Sequence, residues 1–161
     1  MSEACPECGA TVPDGGSCRD HFHALLLLEA EIPGVAGSIL HFYAVAAYGL
    51  QHPYSMNYTA EALAGLHAIL AEALDGQPIE KLRRRMRHDA ERAGRVTRRA
   101  GDPEVSWRRG TWPMTIADVC TAETFGSYDS LEEYGERVTA WARSVRQTLD
   151  ADRTKGAVHG E

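Results

Sequence analysis

The sequence lacks most of the features that would assign an activity at sight. It holds no HxxxH or HExxH pair and no complete catalytic signature, so the usual metallohydrolase helices are excluded. No segment alternates apolar and polar residues as a half-buried strand does, and no internal repeat is visible, which argues against sheet-based and repeat folds. Long apolar runs are missing as well: Ala24 to Leu28 falls far short of the roughly 20 residues that span a bilayer. Met1 is followed by Ser-Glu-Ala-Cys, with neither the basic start nor the apolar stretch of a secretory signal. Cysteine is scarce, four in 161 residues. Without a secretory signal these thiols point to a reducing cytoplasm, where metal ligation is a commoner use of cysteine than disulfides.

The remaining composition is that of a globular protein, 43% hydrophobic and 25% charged. A chain of this size buries a real core, so a metal is not needed to rescue the whole fold, although one weakly packed end could need it. The net charge of −6 is unevenly spread. Residues 81–99 hold nine basic and two acidic residues, a local +7 that leaves −13 on the remainder. Such a segment, with Arg83, Arg84, Arg85 and Arg87 at its centre, is either a solvated helix face or a dock for an acidic partner. The acidic remainder argues against general nucleic-acid binding.

Three of the four cysteines lie within the first 18 residues. Cys5-Pro-Glu-Cys8-Gly9 is followed by Cys18-Arg-Asp-His21. Two cysteines two residues apart form a knuckle whose thiolates reach one ion, and Gly9 lets the backbone turn beneath the sulfurs. Cys18 and His21 lie at i and i+3, on one side of a helix's first turn. Zinc takes four such ligands tetrahedrally, at about 2.3 Å from sulfur and about 2.0–2.1 Å from nitrogen. The competing reading, a redox CxxC, is disfavoured by the Pro/Gly-rich loop in which it sits. Cys120 is distant and in an apolar context, and reads as a buried free thiol.

Past residue 18 the pattern is helical. Phe22, Leu25, Leu26 and Leu28 open it, and Pro33-Gly34 interrupts it. A second helix is predicted from about Val35 to Gln51, where Pro53 disfavours helical geometry at His52. A third starts after Asn57 or Thr59, carries the stripe Leu63, Leu66, Leu70 and Leu74, and stops at Gly76 and Pro78. A charged fourth runs over 79–93 with Leu82, Met86 and Ala90 inward, and residues 94–113 are irregular. Residues 114–121 suit a short helix. Ser130-Leu-Glu-Glu133 is a capping-box pattern opening a last helix, with Tyr134, Val138, Trp141, Val145 and Leu149 inward. The fold class is all-α, an antiparallel helical bundle with an N-terminal zinc-knuckle loop. The divisions are a cysteine-rich zinc-binding module over 1–23, the bundle over 24–152 and a flexible tail over 153–161.

Histidine offers a second candidate site. His41, Tyr48 and His52 fall on one face of the second helix, but His41 and His52 stand about 16 Å apart along it. The conservative reading is that these side chains satisfy buried polar partners. The functional one is a pocket of His41, Tyr48, His52 and His67 around a catalytic metal, with Tyr48 or Glu31 assisting proton transfer.

The CxxC, the third cysteine opening a helix, and Leu50-Gln51-His52-Pro53, together with Trp112-Pro113-Met114-Thr115 and Trp141-Ala142-Arg143-Ser144-Val145, resemble a family of small bacterial proteins, domain of unknown function 5946. The resemblance covers roughly residues 5–149 and implies no activity. It does imply a different fourth ligand, the histidine of the LQHP element, His52. Local spacing favours His21 narrowly over His52. The reading is therefore a zinc protein of unassigned activity, a metal-stabilised binding or regulatory protein. The alternatives are a metal-dependent enzyme using bundle histidines, and an adaptor docking an acidic partner or nucleic acid through its Arg-rich helix. Substrate, partner and catalytic residues are not given by the sequence.

Overall fold

The computed structural model describes residues 3–12, 16–120 and 130–158. Six helices account for most of them, and there is no strand among the described residues beyond an isolated bridge between Tyr58 and Thr97. No helix is long and apolar enough to cross a membrane.

The helices begin where the sequence supplies caps. In α1, Cys18–Glu31, the Ser17 hydroxyl accepts the Asp20 N–H while the Asp20 carboxylate takes the Ser17 N–H at 3.0 Å, a reciprocal capping box. Ser38 caps α2, Ile39–Gln51, and Thr59 caps α3, Ala60–Leu74. Helix α4, Ile79–Ala93, follows Pro78 and ends at Gly94 in the left-handed conformation. Thr115 and Asp118 form a second capping box on the short α5, Ile116–Val119. Ser130 Oγ accepts the Glu133 N–H at 3.1 Å to start α6, Leu131–Val158.

Three boundaries differ from expectation. The second helix starts at Ile39 rather than Val35, because Gly37 at φ +76° leaves the helical region and Ser38 then caps the first turn. The short helix is limited to 116–119, and Thr121 lies outside the described residues. Residues 153–158, expected as tail, continue α6, with the side chains of 153–157 exposed; residues 159–161 lie outside the described set.

Neighbouring long helices alternate in direction from α1 to α4. Phe22 meets Tyr48 and Glu29 meets His41 between α1 and α2, and Tyr43 reaches the Ala73 carbonyl between α2 and α3. The most extensive contact, α2 with α6, is parallel. Glu29 bonds both His41 and Tyr134, joining the starts of α2 and α6, while Trp141 Nε1 reaches Gln51 at the end of α2. The side chains expected inward on α6, Tyr134, Val138, Trp141, Val145 and Leu149, are all buried, as are Ala44, Ala47, Leu50, Leu63 and Leu70 of α2 and α3.

Helix α4 is the outlier. Leu82 is its sole buried residue; Met86 is half-buried and Ala90, expected inward, is exposed. The helix leans off α3 toward its C-terminal end, leaving a trench of about 620 Å³ lined by Tyr58, Leu66, Ile69, Met86 and Val96 among others.

Candidate metal centre

The N-terminal loop brings its cysteines together before any helix contributes. Cys5 N–H donates to the Ala10 carbonyl and Gly9 N–H to the Cys5 carbonyl, both at 2.8 Å, closing a tight turn. Gly9 sits at φ +77°, and a Cβ there would stand 3.0 Å from the Thr111 Cα, so both the turn and its packing require glycine. Cys18, the first residue of α1, supplies a third sulfur, 3.6 Å from that of Cys8.

The fourth group comes from α2. His52 is its C-cap, with φ −128° and ψ 48°, taken out of the helix just before Pro53. The residue is 1% exposed. Nδ1 lies 2.9 Å from the Tyr48 carbonyl, which can only accept, so Nδ1 donates and Nε2 is the ring atom left facing the sulfurs. Nε2 is buried with no hydrogen-bond partner. The ring also stacks on Tyr48 at 4.1 Å, and Tyr48 in turn stacks on Phe22 at 4.0 Å.

The ligand atoms of Cys5, Cys8, Cys18 and His52 all lie within 4.8 Å of one another. These four could hold one metal ion, and among the described residues they form the one such cluster found. An ion about 2.3 Å from each sulfur would set tetrahedral sulfurs about 3.8 Å apart, close to the spacing of Cys8 and Cys18. Electrostatics points the same way. The hydrogen bond between the Cys8 and Cys18 sulfurs holds the Cys8 thiol down to about 4 against the opposing effect of burial. The same hydrogen bond pushes the Cys18 thiol far up, burial adding to it. Two sulfurs this close carry one negative charge easily, and a second only beside a cation.

The model of the family of unknown function DUF5946 matches residues 3–150. The chain belongs to this family. No curated protein and no solved structure matches it. In this DUF5946 chain the segments that carry the resemblance converge on the cluster. Trp112 N–H donates to the Cys8 carbonyl at 3.2 Å and its indole to the Glu7 carbonyl at 3.3 Å, while Gln51 Nε2 reaches the Met114 carbonyl at 2.7 Å.

The structure gathers three of the four locally chosen ligands and replaces the last. His21 is buried, but one helical turn beyond Cys18 its ring is turned toward Gly16, with Nε2 3.4 Å from where a Gly16 Cβ would stand. His52, entering from α2 on its stack with Tyr48, stands beside the three sulfurs instead.

The expected pocket of His41, Tyr48, His52 and His67 does not assemble. His41 Nδ1 is 2.6 Å from Glu29, whose other oxygen is bonded by Tyr134. His67 Nε2 pairs with Asp150 on α6 at 3.0 Å, and burial lowers its pKa despite that partner. Burial raises the Tyr48 hydroxyl well above the usual tyrosine range, and Glu31 is exposed on α1. The trench between α3 and α4 is lined by none of the four. Cys120 is the buried thiol expected, pushed up to about 12 by burial and by Glu29.

On α4, Arg83 donates to the Gly37 carbonyl, and Arg85 pairs with Glu72 and Asp89. Arg84 and Arg87 are both exposed, and neither has an ion-pair partner among the described residues.

One participant had no mark in the sequence. Glu7, between the two knuckle cysteines, turns inward and accepts the N–H groups of Tyr54 and Ser55, just past His52. An acid inside the CxxC is the single hint that could have drawn attention to it.

Proposed function

We propose that this protein is a zinc-stabilised binding or regulatory protein, in which Cys5, Cys8, Cys18 and His52 hold one zinc ion in a closed tetrahedral site. The observation that carries the reading is the buried, unbonded Nε2 of His52 beside three sulfurs. Three soft thiolates and one imidazole suit zinc better than magnesium or calcium, which take oxygen ligands. Four protein ligands leave no position for water or substrate, so the ion would supply folding energy and not catalysis. It would tie the N-terminal loop to the start of α1 and the end of α2. The four cysteines are free thiols, and a reducing cytoplasm suits their use as ligands.

Elemental analysis of protein purified without added chelator tests this. One zinc per chain is expected, with Cys5→Ser and Cys8→Ser reducing it to background. A wild-type chain that binds zinc no more tightly than these variants would end the proposal.

On this reading the partner is acidic and meets α4. The supporting observation is that Arg84 and Arg87 are left without ion-pair partners among the described residues, while Arg83 and Arg85 are used. Binding that weakens as salt rises, and is lost in an Arg84→Glu/Arg87→Glu variant, is the expected behaviour of such a contact.

A further inference from the structure

We propose that Glu7 is the residue that positions the metal ligands, clamping the cysteine knuckle onto the turn just beyond His52. The inference rests on the metal reading above and adds a residue that is not itself a ligand.

Glu7 lies in the chain between Cys5 and Cys8, so wherever its backbone is fixed the two sulfurs are fixed with it. Its side chain is buried with no ion pair within 4 Å among the described residues, the Arg109 guanidinium acting on it only from further away. Instead it is held by donors from one short segment. Oε1 accepts the Tyr54 N–H at 2.8 Å and the Ser55 N–H at 3.2 Å, and Oε2 accepts the Ser55 N–H at 3.3 Å and the Ser55 hydroxyl. Charge-assisted hydrogen bonds of this kind are about twice as strong as neutral ones.

Pro53 has no N–H, so Tyr54 and Ser55 are the first donors available beyond His52. A carboxylate bound there fixes the direction in which the chain leaves α2, and with it the place of the His52 ring. The main chain of Glu7 is tied on the opposite side, its carbonyl accepting the Gly110 N–H at 3.2 Å and the Trp112 indole at 3.3 Å. One residue therefore joins the knuckle, the turn after His52 and the 110–112 segment by contacts that need no ion.

Glu7 touches none of the sulfurs and acts on them through the backbone it fixes and the turn it holds. Groups that orient metal ligands without touching the metal typically contribute about 10- to 100-fold in affinity.

The test compares Glu7→Ala and Glu7→Gln with wild type in three measurements. Zinc affinity is read by competition with a chromophoric chelator, the metal-free helical melt by circular dichroism, and exchange of the Tyr54 and Ser55 amides by NMR. Glu7→Ala should weaken zinc about 10- to 100-fold, leave the metal-free melt in place, and expose both amides to exchange. Glu7→Gln, which keeps one acceptor oxygen, should recover part of the affinity. Unchanged zinc affinity in Glu7→Ala overturns the proposal, as does a metal-free melt that falls in step with the affinity, since Glu7 would then be a general stabiliser. A wild-type chain that takes up no zinc overturns the metal reading and this proposal together. In that case the amide exchange still separates a real clamp from none.

Discussion

The imidazole of His52 donates from Nδ1 to the carbonyl of Tyr48, one helical turn earlier, across 2.9 Å. That bond sets the tautomer and aims Nε2 at the three sulfurs, as backbone carbonyls commonly do for metal-bound histidines. The two candidate histidines therefore separate cleanly. His52→Ala should lose zinc, whereas His21→Ala should keep it. A cobalt-substituted protein gives the check, since the visible absorption of a tetrahedral sulfur-rich site should vanish in the first variant and persist in the second.

Gly9→Ala should damage the knuckle without touching a ligand. Its left-handed backbone disfavours a side chain, and the new Cβ would press on the Thr111 Cα at 3.0 Å. A loss of about 1–3 kcal/mol is expected at such a position. Zinc titration of the variant should show weaker binding with the helical content intact. Unaltered affinity would mean that the loop adjusts freely.

Glu29 is the most deeply buried carboxylate of the described chain, and it is held by His41 and Tyr134. It also lies against the first turns of α2 and α6, whose N-terminal ends favour negative charge. Tyr134→Phe removes one donor from a group that water cannot reach. The expected cost is about 1–3 kcal/mol, read from urea unfolding of the zinc-loaded protein. Glu29→Gln should cost a similar amount, because it discards the charge that the arrangement accommodates.

Stability should also fall on mild acidification through His67. Burial holds its folded pKa below the ordinary histidine value, so the unfolded chain takes the proton first. The stabilisation is complete above about pH 6.5 and is lost as pH drops below that value toward the folded pKa. Thermal melts of a metal-free preparation at pH 8 and pH 5.5 should differ more for wild type than for His67→Gln. An equal difference in both would exclude His67 as the cause.

Much of the fold could be read from local chemistry. Ser17, Ser38, Thr59, Thr115 and Ser130 cap as short polar side chains do, and the stripe from Tyr134 to Leu149 buries at helical spacing. Cys5, Cys8 and Cys18 were legible for the same reason, since their spacing alone brings thiolates together. Local spacing could not reach anything supplied across the bundle. His52 competes with a histidine three residues from Cys18, and only the family resemblance pointed to it. Glu7 was silent because its donors lie 47 and 48 positions further along. Ala90 kept the right spacing yet lies exposed, because periodicity marks a face but not whether a neighbour stays close enough to cover it.

The parallel pairing of α2 with α6 has a consequence for how the molecule comes into being. Helices α1 to α4 can meet their neighbours through short connections as soon as each pair has been synthesised. The partner of α2 is some 90 positions away, as the contact between Gln51 and Trp141 shows. Contacts of such separation close late, since the intervening chain must first be drawn together. Until α6 has been made, the face of α2 that it contacts has no such partner. The nascent protein should accordingly linger as a cluster of helical hairpins with an open apolar side. That interval is when it is most exposed to chaperones and to aggregation, and the docking of α6 closes it.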